Sequence, residues 1–133
     1  MGSSVYVDRL GQEGRNRLAG MLSVDMVSDG RPLIIGNSGI ADDVVARSVY
    51  RKVRRSGVGT RWAEACDCSD NGPFEHAGIP ASYMWSGDEP NYHDSSDTVP
   101  NMDPSDLVRT GRAVRAFVTD LDKKLLAYYR REG

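Results

Sequence analysis

Thiol and imidazole side chains are scarce in this chain of 133 residues, which holds two cysteines and two histidines. A tetrahedral thiolate zinc site needs four soft ligands at close spacing, and neither a further cysteine nor a histidine is placed to complete one with Cys66 and Cys68. A bond between those two would close a very small ring, which disulfide geometry tolerates poorly. They are therefore expected to be two thiols on one face of a strand end. Long apolar runs are missing as well. None approaches the ~20 residues of a membrane helix and no signal-peptide series opens the chain, so a soluble protein with no membrane partner is expected, its compartment left open. Nor does one charge dominate, with 17 basic residues against 19 acidic. The basic ones are scattered apart from Arg51, Lys52, Arg54 and Arg55, a run that suits the polar face and C-terminal end of a helix rather than a nucleic-acid footprint.

What is present fits one domain over residues 1–133, long enough to bury about two thirds of its unfolded surface. The ten residues after Met1 read as a short helix or the tail of one. Met21, Leu22, Val24, Met26 and Val27 then predict a buried strand with Asp25 near its end. A second apolar run, RPLIIG, precedes a helix from about 41 to 56, with Val45, Val49 and Val53 at four-residue spacing and Gly57 as its stop. Residues 61–66 are weakly strand-like. SDNGPFEHAGIP gives a loop and one helical turn, with His76 expected on the surface, and 79–85 another strand. The last element starts with Asp103 as N-cap and Pro104 at the first helical position, and its expected apolar face is Leu107, Val114, Phe117, Val118, Leu121 and Leu125. Strands alternating with helices argue for an α/β layer architecture, in which chemistry gathers in loops beyond strand carboxyl ends. Asp25 falls at such a place. So does the segment NYHDSSDTVPNMDP, residues 91–104, which puts three carboxylates and a histidine into a loop with no apolar periodicity.

Four local patterns, taken in order, resemble the second half of the two-zinc (co-catalytic) aminopeptidases, the family related to glutaminyl cyclases and the transferrin receptor ectodomain. They are Gly2, Ser3, Tyr6, Val7 and Leu10 in a helix; SVDMV from Ser23 to Val27; SDNGPFEHAGIP; and YHDSSDTVPNMD from Tyr92 to Asp103. The resemblance implies a partial zinc-exopeptidase-like layered α/β/α fold, the C-terminal part of a catalytic domain with its sheet incomplete. It also implies that Asp25 binds one zinc and His93 the other, with Asp97 behind His93 to fix its tautomer and orientation.

Two departures bear on activity. The family's first half supplies a histidine, a bridging aspartate and an adjacent glutamate pair that includes the general base, and this chain has none of these. Asn71 also stands where the family has histidine after serine-aspartate, which bears on the substrate pocket more than on the metal. The expectation is a zinc-dependent aminopeptidase acting on peptides with a free N-terminus, of which this chain is the C-terminal half and inactive alone. The alternatives are a non-catalytic interaction module derived from that fold, or one chain of a split metallopeptidase. An incomplete sheet would also favour self-association through its open edge.

Overall fold

A computed structural model of the chain describes residues 2–28, 32–87 and 90–132. Its elements run α1 (Gly2–Arg17), β1 (Met21–Val24), β2 (Leu33–Gly36), α2 (Val44–Arg55), β3 (Thr60–Trp62), α3 (Asn71–His76), β4 (Ala81–Trp85), a 3-10 turn (Val99–Asn101), α4 (Pro104–Val118) and α5 (Lys123–Glu132). The four strands form one open sheet in the order β1-β4-β2-β3. β1 runs parallel to β4 and β2 parallel to β3, while β2 and β4 are antiparallel.

Alternation along β4 and β2 sends side chains into two cores. Met84, Leu33 and Ile35 meet Val45, Val49 and Val53 of α2, Ala113 and Phe117 of α4, and Tyr129 of α5. On the other face Ala81 packs with Val7 of α1, Phe74 of α3 and Ile79. The result is the expected α/β/α layering, with α2, α4 and α5 on one side and α1 and α3 on the other.

The start of α4 is as expected. Asp103 accepts the Ser105 amide at 2.8 Å and Pro104 occupies the first turn, where a missing N–H costs nothing. Other expectations need correction. The first helix is interrupted at its expected end, since Gly11 has non-helical backbone (φ 59°, ψ −179°), but a second helical segment follows the kink and carries α1 to Arg17, with the Arg15 Nε donating back to the Val7 carbonyl at 3.3 Å. β1 is not a buried strand, since it lies at the sheet edge and only Ser23 of its four residues is buried. The final helix is broken at residues 119–122, so Leu121 lies between α4 and α5. Leu107 and Val118 are exposed, because the buried stripe of α4 is Asp106, Thr110, Ala113 and Phe117.

Candidate active-site cleft

β1 ends at Val24, and the next residue is Asp25. The Asp25 amide still donates to the Met84 carbonyl of β4 at 3.1 Å, and Ser86 donates its amide to Met26 at 2.8 Å, so the segment after β1 stays tied to the end of β4. The Asp25 carboxylate is exposed and accepts the Met26 amide at 2.9 Å.

The loop of residues 90–98 supplies the facing wall. Asp94 accepts the Ser96 amide at 2.9 Å, and that hydrogen bond is the main reason its carboxyl is held below the usual range. Ser96 donates to the Asn91 side chain at 2.8 Å, and the Asn101 side chain donates to the Ser96 carbonyl at 2.7 Å. These bonds use up the polar groups of the loop that serve folding. His93 is left exposed with its ring stacked on Tyr92, centroids 3.9 Å apart.

Asp25, His93 and Asp97 line one cavity of about 430 Å³, together with Val27, Met102 and Leu107. The exposure of Leu107 thus has a place: it floors this cleft instead of the core. Among the described residues no hydrogen bond joins Asp97 to His93, so the orienting contact expected between them is not made in this state. Two non-glycine residues among those described have left-handed backbone, Met26 (φ 54°) and His93 (φ 58°), and both line this cavity. Such conformations are disfavoured by about 1–2 kcal/mol each and collect where a fold must aim a side chain.

A second cavity of about 610 Å³ adjoins the first, sharing Asp25, Met26 and Tyr92. Tyr83 and Trp85, stacked 4.7 Å apart, form one wall, and Cys66, Cys68 and Ser69 form another. The two cysteines are not thiols at a strand end. They are joined as a disulfide with their Cα atoms 5.2 Å apart, because β3 stops at Trp62 and the chain turns at 67–70, bringing both sulfurs to one side. That turn is held from below. A Cβ on Gly72 would sit 2.1 Å from the Asp67 carbonyl, so only glycine admits the approach, and Asn71 donates its amide to the Cys66 carbonyl at 3.1 Å. Asn71 is fully buried under the disulfide and also donates to Glu75 at 2.9 Å. His76 is on the surface as expected, 3.3 Å from Asp67.

Sequence reasoning missed Glu75, a fully buried carboxylate. The signal available was an acid directly after Phe74 in the turn PFEHAGIP, whose other residues apart from His76 are apolar or glycine.

The fold is that of solved zinc aminopeptidases. A zinc aminopeptidase from Bacillus subtilis matches with a TM-score of 0.79 and 24% identity over 90% of this chain and 32% of its own. An aminopeptidase from Aneurinibacillus sp. strain AM-1 matches with 0.78 and 25% over 88% and 29%, and the LapA aminopeptidase of Legionella pneumophila with 0.76 and 18% over 91% and 36%. The chain therefore spans about a third of the length of these structures. Among curated proteins none matches it. The sequence model of peptidase family M28 matches residues 1–118, nearly the whole of this fold including the cleft that joins Asp25 to His93, and the chain belongs to that family.

Proposed function

We propose that this chain is the part of an M28-type zinc aminopeptidase that supplies one carboxylate, Asp25, and one imidazole, His93, to a two-zinc cleft, and that it does not hydrolyse peptides alone. One observation carries the reading: residues 68 apart in sequence line a single cavity at the end of β1, each beside or on a left-handed backbone position. Carboxylate oxygen and neutral imidazole nitrogen are zinc donors. Their number falls short. Among the described residues no three of His, Cys, Asp and Glu are grouped so as to hold a metal ion, whereas zinc takes three or four protein ligands. The remaining ligands and the general base would come from outside this chain. The adjoining cavity, walled by Tyr83, Trp85 and the disulfide, would receive a side chain of a peptide whose free amino terminus lies at the metals.

A chimera tests this. The chain replaces the matching third of the Bacillus subtilis enzyme, and zinc content and cleavage of an amino-acid anilide are measured. Turnover that Asp25→Asn and His93→Ala each abolish, with loss of zinc, is the expected result. A folded chimera that keeps its zinc and turnover after His93→Ala would overturn the assignment. One that binds zinc without turnover would favour the non-catalytic module.

A further inference from the structure

Basic residues that are scattered in the sequence are gathered by the fold. Residues 44–55 and 104–133, which contain α2, α4 and α5, hold 12 of the 17 lysines and arginines but 4 of the 19 acids, a net charge of +8. The rest of the chain sums to −10. These three helices form one layer over one face of the sheet.

The cations point outward. On α2, Arg47, Arg51, Arg54 and Arg55 are exposed opposite the buried Val45, Val49 and Val53. On α4, Arg112 and Arg115 share a stripe with Val108, which is 55% exposed. On α5, Lys124 and Arg131 flank the exposed Tyr128 at the same spacing. Few acids answer them. Arg47 meets Asp43, Lys52 meets Asp120 and Arg109 meets Asp106, but among the described residues no ion pair holds Arg51, Arg54, Arg55, Arg112, Arg115 or Lys124. Helix dipoles explain cations only in last turns, such as Arg54 and Arg55. Lys123 and Lys124 stand in the first turn of α5, where the dipole opposes them.

We infer that the α2–α4–α5 layer is a docking surface for an anionic phospholipid bilayer, lying flat on the headgroups with Val108 and Tyr128 entering among them. Three helices side by side suit a plane of charge. They offer no projecting helix for a nucleic-acid groove, and Tyr128 is the one exposed aromatic in them on which a base could stack. The described residues outside the layer sum to −8, which repels a polyanion that would wrap the molecule and orients the chain with the basic layer toward the membrane. Exposed basic side chains interleaved with an aromatic and an aliphatic are the composition of helices that rest at an interface. The inference is independent of the hydrolytic reading.

The test is sedimentation of the full chain with vesicles of phosphatidylcholine alone and of phosphatidylcholine mixed with phosphatidylglycerol. Binding is expected with the anionic vesicles only, with release at high salt, since a Lys or Arg near such a surface raises partitioning about fivefold. Joint reversal of Arg51, Arg54, Arg112, Arg115 and Lys124 to Glu is expected to lower partitioning by more than about 100-fold. Reversing Arg9 and Arg61, outside the layer, is expected to change it far less. Circular dichroism checks the fold of each variant, and the salt release is read on the unaltered chain. Equal binding to neutral vesicles, no binding to anionic vesicles at low salt, or equal loss in the control would overturn the inference. So would tighter binding to duplex DNA, or self-association without lipid that the reversal abolishes, which would name nucleic acid or a second copy as the occupant.

Discussion

The carboxylate of Glu75 in α3 accepts both the amide of Ser38, at 3.1 and 3.2 Å, and its hydroxyl, at 2.7 Å, across 37 residues of sequence. With Asn71 donating to the same carboxylate and to Cys66, the loop after β2, the short helix α3 and the disulfide turn are tied through one buried acid. Replacing Glu75 with Ala would take the acceptor from the half-buried amide and hydroxyl of Ser38 and one of two acceptors from the buried Asn71 amide. The expected cost is about 3 kcal/mol, measured by urea denaturation. Glu75→Gln keeps the shape but turns an NH2 group toward donors, and is expected to cost about 1–2 kcal/mol. A Gln variant as stable as the wild type would show that the carboxylate is not what holds these loops.

Asp103 gives the fold an acid-sensitive start to α4. Hydrogen bonds from the Ser105 hydroxyl, and then from its amide, hold the Asp103 carboxyl below the usual range. A depressed folded pKa contributes stability above the unfolded value of about 3.9, and that contribution is lost as pH falls through the folded value. Asp103→Ala should therefore melt lower than the wild type at pH 7. The two melting curves should converge in acid, which thermal scans from pH 7 to 2 would show.

Tyr129 acts at the opposite end of the pH range. Burial pushes its phenol up, and its hydroxyl donates to Ser48 of α2, fixing α5 to the layer. Here the folded pKa is raised, so the stabilisation is complete below about pH 10 and lost as pH rises through the folded value. Tyr129→Phe is expected to cost about 1 kcal/mol at pH 8, with the difference from the wild type shrinking in alkali.

The layered fold was legible where residues act locally. Val45, Val49 and Val53 repeat at the helix period, and Asp103-Pro104 marks a helix start whatever lies around it. The union of Asp25 with His93 was legible only through the family's ordered motifs, since no local rule joins residues 68 apart. What failed depended on neighbours. The Cys66–Cys68 pair looks unbridgeable by spacing, and it takes the turn seated on Gly72 to bring the sulfurs together. Leu107 fits a core stripe by period, yet it sits where α4 faces the cleft. The basic layer was hidden because α2 and α5 are separated by about half of the chain, and only the sheet order puts them on one face.

The outer edge of β1 has no strand beside it among the described residues, so the isolated chain is expected to self-associate there. Met21 and Asp25 donate their amides toward β4, at Pro80 and Met84, which turns the alternate amides of Leu22 and Val24 outward. Val24→Pro removes an outward donor without touching the inner ladder. Light scattering should show dimers or larger species for the wild type and a shift toward monomer for Val24→Pro. A wild-type monomer at high concentration would rule out the edge as an interface.

Zinc provides the last test. Asp25 and His93 share a cleft but are the donors of an unfinished site, so the isolated chain is expected to bind zinc weakly and to leave amino-acid anilides uncut. Calorimetry on the chain should show low affinity that His93→Ala removes, because an imidazole is the softer of the two donors and no other histidine among the described residues lies in the cleft. In the chimera with the Bacillus subtilis enzyme the same substitution should cost both metal and turnover. Asp97→Asn should there lower zinc affinity by about 10–100-fold, since the carboxylate would orient the histidine without touching the metal. If Asp97→Asn has no effect on affinity, the gap seen between Asp97 and His93 persists when metal binds, and the histidine is held by its stack on Tyr92 alone. Chelator-sensitive hydrolysis by the isolated chain, absent in His93→Ala, would show instead that a base lies within these 133 residues.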